Sequence, residues 1–567
     1  MNPRSVAAGV LVCMGVPAFA QPASPVFTKV VVTGDVLDAL GPDYTFQGYN
    51  ADPSVDADGA VIFNGRFDGP DVFGDNNGGI FHGSAGALSL VLRAQSQAPG
   101  LPEGVLYNSP QFITARSAGV VIFNALLTGD VDGSNDLAVF QGAVPSLRPI
   151  ARTSWDVPGT QGQYRLLRHR PVLNASGRFA IVGDLNPYHD HRAVLSGSGD
   201  SLELVAETGQ QAPGFAPGET YRGGIRSPVL ADTGRLAFFA ATSDGFGVLA
   251  GQPGAVSAIV RYLDPAPGID GGVFTTLGSP SISPAGRIAF EATVEIGGES
   301  APTVWRETAD GAGIEPVVGL DTVLPGMGDQ DRIRSVWRVS IDDAGAVAFG
   351  AQLHLGGDIT PNNDSGLWVF SDGSYETIMR EGEQYASFPA GVRPAFFNGN
   401  RYSGLNARRQ MVCDVFLQGD GVDESNDTAL VGWDPDAGVV MLLREGDAFD
   451  VGDGDPRVVQ SIDFTNSFYS GNSYQGQSGT GGSATGLNDG GVVAVGIRFA
   501  DGTSGIFTTV LGPCRPDLTG DGTLDTRDVL AFLNAWAQDD ALADWNGDGA
   551  VDTRDCIAYL NEWAAGC

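Results

Sequence analysis

The residues best suited to chemistry lie at the C-terminal end of the 567-residue chain. Two segments there align with an offset of 27 residues: DLTGDGTLDTRDVLAFLNAWA from Asp517 and DWNGDGAVDTRDCIAYLNEWA from Asp544. Each opens with a twelve-residue loop. The first places Asp517, Thr519, Asp521, Gly522, Thr523, Asp525 and Asp528 at positions 1, 3, 5, 6, 7, 9 and 12. The second places Asp544, Asn546, Asp548, Gly549, Ala550, Asp552 and Asp555 there. A hard divalent cation wants six to eight oxygens. Alternate loop positions converge on it, position 7 lends a backbone carbonyl, and glycine at position 6 permits the sharp turn. One such loop reads equally well as an acidic turn, but two in register predict two bound calcium ions. Asn546 supplies an oxygen where Thr519 stands in the first loop, so the second site is expected to be the tighter.

Other chemistry is harder to find. His189-Asp190-His191 offers two imidazoles, but NPYHDH reads as a loop between two strands with no third ligand nearby. The acidic stretches GDVDGSNDLAVF from Gly129 and GDGVDESNDTALV from Gly419 fit cations or Asx turns, and turns are the simpler reading. Weaker versions are FGDNNGGIF from Phe73 and ITPNNDSGLW from Ile359. No GxSxG elbow, HExxH or Walker loop occurs. With 67 acids, carboxylate spacing carries no information on glycosidase pairs.

The elements that must position these residues are short strands. From about residue 27 to 511 one unit recurs: VDADGAVIF from Val55, TARSAGVVIF from Thr114, LNASGRFAI from Leu173, LADTGRLAF from Leu230, ISPAGRIAF from Ile282, IDDAGAVAF from Ile341, LNARRQMVC from Leu405 and LNDGGVVAV from Leu487. Asn or Asp opening a four-residue turn that closes on Gly is type I turn chemistry. The turn glycines are Gly59, Gly119, Gly177, Gly234, Gly286, Gly345 and Gly491; Arg409 breaks the set. Each copy continues into a third strand, such as GIF at Gly79 or GLW at Gly366, and a fourth, such as LSLVLRAQSQAPG from Leu88. Four short antiparallel strands are one propeller blade. The last copy stops after its third strand, GIFTTV near Gly505. An unmatched strand, TKVVVTGDVLDALG from Thr28, precedes the first. Joining them completes a blade and removes two exposed edges. The fold class predicted is all-β: an eight-bladed β-propeller with split-blade closure, followed by the small calcium module. The array resembles secreted bacterial proteins built from a tandem NxxGxxAF repeat, a resemblance that implies no particular activity.

Composition narrows the partners. Arg plus Lys number 32 against 67 acids, a net charge of −35, and Lys29 is the one lysine. Such a field disfavours nucleic acid and anionic membrane surfaces. No stretch is long and apolar enough to span a membrane. Arg4, the apolar run Val6–Val16 and Ala18-Phe19-Ala20 read as a signal peptide over residues 1–20 with cleavage before Gln21, so the protein is expected to be secreted, extracellular or held at the cell surface. Cys413 replaces the Phe of its repeat and Cys556 aligns with Val529 on a helix; both read as packed thiols.

After each acidic loop, Val529, Leu530, Leu533 and Trp536, and again Ile557, Leu560 and Trp563, recur at helical spacing. These features resemble a type I dockerin over about the last 54 residues. The closing Ala565-Gly566-Cys567 and the early Cys514 are similar to the GC-type variant. The resemblance implies an all-α domain at 514–567 of paired EF-hand-like loop–helix units, with the loop residues named above as calcium ligands. It also implies a cohesin-like or other cell-surface partner, and a Cys514–Cys567 disulfide, because the ends of such modules lie close. Asp rather than Glu at position 12, Thr519, and the missing helix before each loop depart from the EF-hand pattern. Two functions follow as expectations. One is a noncatalytic extracellular binding or structural protein, its propeller at 27–511 taking a polysaccharide or protein ligand and its end tethered through calcium. The other is a dockerin-bearing carbohydrate-active enzyme, a glycoside hydrolase or polysaccharide lyase.

Overall fold

The structure is a computed structural model. It describes residues 25–512 apart from 51, 118, 144–145, 168, 200, 329–330, 396–400 and 466–480, and beyond them 516, 518–519, 524–538, 540–545 and 550–565. The leader at 1–20 lies outside the described residues. So do Cys514 and Cys567, and the loop residues Asp517, Asp521, Thr523, Asn546 and Asp548.

Eight antiparallel sheets follow one another around a ring. The first blade is Thr45–Tyr49 with Ser54–Val55, then Val61–Asp68, Gly78–Ser84 and Ala87–Arg93. The eighth joins Arg457–Phe464, Val492–Phe499 and Ser504–Val510 to Thr28–Val32 from the other end of the chain. Thr28 faces Thr508 and Val32 faces Gly505 in that pairing. The split closure expected from the sequence is therefore present, and the count of eight holds.

Burial explains why these segments are strands. The second strand of a blade is covered on both faces by neighbouring blades, so Phe179–Asp184 is buried at all six positions. The outermost strand meets solvent on one face, and Ala87–Arg93 alternates through most of its length. The apolar core is divided into eight clusters, one at each seam between successive blades. The closing seam packs Val30, Val31, Ala494 and Ile506 against Phe46, Phe63 and Phe81.

The repeat motif is a belt around the axis. All seven turn glycines adopt positive φ, from +65° at Gly119 to +100° at Gly286. Arg409 holds the same left-handed conformation at φ +62° and turns its Nε to Asp342 Oδ2 at 3.3 Å. The opening Asn or Asp serves its own turn and the next blade together. The buried Asn174 amide donates to Ala231 O at 2.8 Å, Asn406 to Asn488 O at 2.9 Å, and Asn488 to Asp56 O at 2.9 Å. The acid beside it in other copies accepts a backbone N–H from the preceding turn: Asp232 from Ala175, Asp343 from Ala285, Asp489 from Ala407.

In the C-terminal segment, helices α1 (Thr526–Trp536) and α2 (Thr553–Ala565) follow the two loops. The packed side chains are Phe532, Ala535, Trp545 and Tyr559, with the Phe532 and Tyr559 rings stacked at 4.1 Å. This corrects the helical-spacing reading in one respect: Leu530, Leu533, Ile557 and Leu560 are exposed rather than packed. Cys413 is buried as expected, and Cys556 is half-buried.

Candidate functional site

One residue of each blade stands seven positions before its turn glycine, or before Arg409: Asp52, Phe112, Arg170, Ser227, Ser279, Arg338, Tyr402 and Ala484. These positions sit on or beside the innermost strands, and neighbours in the set touch from blade to blade. Arg170 lies over the Phe112 ring at 5.8 Å, Ser279 Oγ donates to Ser227 Oγ at 3.1 Å, and Arg338 lies over Tyr402 at 5.3 Å. Ser227 and Arg338 hold positive φ, both 55°, at breaks in strand register. The strained backbone marks this axial layer as the place to look for function.

Charged side chains gather at the layer. Arg401 binds Asp414 Oδ2 at 2.6 Å and approaches Asp463 at 3.6 Å and Asp52 at 3.7 Å, gathering carboxylates from the seventh, eighth and first blades. Tyr49 donates to Asp463 at 2.8 Å, and Arg498 reaches the same oxygen at 3.1 Å. Burial raises the Asp52 carboxyl above its usual range, with the Arg401 charge opposing. Burial also raises the Tyr49 phenol, and Asp463 adds to the effect. Glu291 belongs to a second strand, Ile288–Ile296, and reaches inward across Gly278, where a Cβ would stand 2.2 Å from its Cγ. Its Oε2 is buried without a hydrogen bond. Burial pushes its carboxyl up to about 7, against the Arg338 charge. The layer therefore holds carboxylates locked to guanidinium groups, and one carboxyl that is partly protonated near neutrality.

The axis is closed at the level of the repeat turns by a device that sequence reasoning missed. Gly481–Thr485, from the eighth blade, hydrogen-bonds to inner strands of the neighbouring first blade and of the third and fourth blades across the ring. Gly482 O accepts from Leu173 N at 2.7 Å, Gly481 O from Leu230 N at 3.0 Å, and Thr485 O from Val55 N at 2.9 Å. Reaching the first, third and fourth blades at once requires crossing the axis. Gly481 has φ +112°, and a Cβ there would stand 2.3 Å from Ile282. The space left beside this plug, lined by Asp232, Asp342, Asn406 and Asp489 among others, is about 30 Å³, enough for a few waters only. The sequence does carry a signal: Arg409 and Gly491 are 82 residues apart, against 52–64 between other successive turns.

The histidines form a different site from the one their spacing suggested. His189 Nδ1 and His169 Nε2 both meet Asp184 Oδ2, at 3.0 and 3.3 Å, while His191 turns away to Glu207 at 3.2 Å. Arg192 takes Asp184 Oδ1 at 2.9 Å. Burial would raise the Asp184 carboxyl, but the His169 bond and the His169 and Arg192 charges hold it below its usual range. His169 was invisible to motif reasoning because it lies twenty residues upstream. The acidic hairpins are Asx turns. Asn135, Asn426, Asn76 and Asn363 each accept a backbone N–H within the loop. An arginine from the fourth strand sits on the carbonyl of the same residue: Arg152, Arg444, Arg93 and Arg380. A guanidinium thus already occupies the electronegative side of each hairpin.

Of the calcium-loop positions, Asp528 and Asp555 are fully buried at the starts of the two helices. Asp528 accepts from Thr519 N and Oγ1 at 2.9 and 2.8 Å and from Asp525 N at 2.9 Å; Asp555 accepts from Asp552 N at 2.7 Å. Asp525 and Asp552 instead bind Arg527 and Arg554 at the surface. Asp544 Oδ1 is buried, and Ala550 lies at the exposed edge of its loop. Among the described residues no group of three or more His, Cys, Asp or Glu side chains is arranged to hold a metal. Nor is any helix among them long and apolar enough to cross a membrane.

The chain belongs to a family of unknown function, DUF7453, whose model matches residues 18–312 and again 240–511. No curated protein matches it. Among solved structures it is similar to a protein from Lactobacillus plantarum (12% identity, 69% of this chain and 96% of that one, TM-score 0.30). It is also similar to a puromycin-hydrolyzing peptidase of Mycobacterium tuberculosis (13%, 72% and 53%, 0.34) and to prolyl oligopeptidase B from Galerina marginata (8%, 81% and 55%, 0.35). At such scores none of them bears on the chemistry of this chain.

Proposed function

We propose that this is an exported, noncatalytic binding protein: an eight-bladed propeller that presents a ligand-binding surface and is tethered through a calcium-dependent, dockerin-like C-terminal module. The observation that carries the tether is the pair of fully buried carboxylates, Asp528 and Asp555, at position 12 of two loops in register. Asp528 accepts N–H and O–H donors there, and Asp555 an N–H donor. Buried carboxylates of this kind suit a divalent ion held with Asp517, Asp521 and Asp525 in one loop and Asp544, Asn546, Asp548 and Asp552 in the other. Calcium binding there would draw the loops together and so fix α1 and α2. The docking surface is supported by a duplicated apolar face: Leu530 and Leu533 on α1, 59% and 43% exposed, repeat as Ile557 and Leu560 on α2, 60% and 46% exposed. A cohesin-like or other cell-surface protein is the partner this face suits.

The carbohydrate-active reading has one observation in its favour, Glu291, whose carboxyl burial raises to about 7 against the Arg338 charge, so that it could donate a proton. Against it, Arg401 holds the Asp414 and Asp463 carboxylates in ion pairs within the protein rather than leaving them open to a substrate.

The test uses the full chain. Cell-surface extract passed over the immobilised protein is expected to yield a partner with calcium present and none with chelator. Asp528→Ala with Asp555→Ala should remove the partner and the calcium-induced rise in helix signal, leaving the main β melting transition in place. Capture that is indifferent to calcium and to the double variant rejects the tether. Sugar release from a polysaccharide panel, abolished by Glu291→Gln, would establish the enzymatic reading instead.

A further inference from the structure

Arg226 opens the innermost strand of the fourth blade, Arg226–Leu230. Its guanidinium lies 4.4 Å from the Phe239 ring centre, and its Nε is buried without a hydrogen bond. Among the described residues no carboxylate pairs with it. Burial, with the like charge of Arg192 behind it, makes its charged form less favourable than usual. Arg192 comes from the third blade and crosses the seam to donate to Ile225 O at 3.3 Å. The acid at this seam, Asp184, is already shared among Arg192, His169 and His189. Arg226 is half-buried, and a guanidinium partly withdrawn from water without a counter-charge is unfavourable. In a chain with 67 acids and 32 basic residues, a carboxylate partner would be the easiest thing to supply. The backbone is strained at the same point: Ser227 holds φ +55°, and strand register breaks between Arg226 and Val229. Cost in charge and cost in backbone thus coincide on one residue beside the axis.

We infer that the seam between the third and fourth blades binds an oxyanion carried by a saccharide, a uronic acid carboxylate or a sulfate ester, with Arg226 as its anchor and Arg192 as a second positive charge. A guanidinium fork pre-set on an aromatic ring matches two oxygens of either group. The inference rests on the binding reading above for the carrier of the anion. A propeller that binds neutral glycans without responding to oxyanions would remove this site and leave that reading intact.

The experiment compares melting of the full chain, at fixed calcium, in sodium sulfate and in trigalacturonate against sodium chloride of equal ionic strength, because screening alone stabilises so acidic a chain. An oxyanion is expected to raise Tm beyond chloride by several degrees, and whichever probe acts more strongly identifies the group. Arg226→Gln should abolish that excess while matching or exceeding the parent Tm without oxyanion, since it removes a half-buried charge that no carboxylate among the described residues pairs; Arg226→Lys should keep part of the excess. No excess over chloride overturns the site. So does an excess that survives Arg226→Gln, or a variant that is less stable or unfolded without oxyanion, because Arg226 would then be serving a partner within the protein.

Discussion

At the residue scale, Glu291 has the clearest consequence. Its carboxyl is near 7 in the folded protein against an ordinary 4.5. Between those values the folded chain holds a proton that the unfolded chain has released, so stability falls as pH rises through this window and levels off above it. Glu291→Gln removes that dependence. The variant is expected to exceed its parent by about 3 kcal/mol above pH 7 and to match it near pH 4. Denaturant midpoints across this range check the difference; a variant that loses stability at every pH would mean the carboxylate is satisfied in place. Glu381, raised to about 7 by burial while accepting from Ser365, keeps part of the slope in both proteins, so the difference isolates Glu291.

At the scale of elements, the turn motif does two jobs at once. Asn488 Oδ1 accepts Val492 N inside its own turn at 2.9 Å, and its amide crosses to Asp56 O on the first blade. Asn488→Ala leaves a buried carbonyl and an N–H without partners, an expected loss of about 2 kcal/mol. Ser283 occupies the equivalent position in the fifth blade and serves its own turn, accepting Arg287 N at 3.2 Å. Ser283→Ala should therefore cost clearly less, about 1 kcal/mol or below. Equal losses in urea melts of the two variants would show that the cross-blade bond adds nothing.

For the whole molecule, closure rests on Thr28–Val32. This strand covers the edge of Ser504–Val510 and contributes Val30, Val31 and Val32 to the cores on both sides of the last blade. A chain lacking residues 27–41 loses that burial and exposes a strand edge. At roughly 1.5–3 kcal/mol per buried valine, the loss is on the order of 5 kcal/mol, enough to separate the eighth blade's melting from the rest and promote self-association. Calorimetry and size-exclusion chromatography read both effects, and an unchanged single transition would show that the ring does not depend on this strand.

The ring was legible in the order of residues alone. Blade number and turn glycines were legible because each is local chemistry repeated at a period near sixty residues, Gly, Asn and Asp announcing a turn whatever surrounds them. Split closure was legible from the unmatched strands at the two ends of the array. The reading of the acidic hairpins as turns was likewise available, since Asx bonds span only a few residues. Tertiary structure decided what meets at the axis. Asp52, Arg401 and Asp463 are brought together by closure of the ring, and their spacing in the chain gives no hint of it. Asp184 collects His169 from upstream rather than His191 beside it, because the bridge between Leu166 and Asp184 brings the segment that carries His169 to the carboxylate, while His191 turns away to Glu207. Helical periodicity in α1 and α2 marked apolar positions without saying which face was covered. Leu530 and Ile557 point outward because packing there is taken by the large rings of Phe532, Trp545 and Tyr559. Gly481–Thr485 shows the same limit: the extra chain length was visible in the sequence, but only contact with the third and fourth blades across the axis makes it a plug.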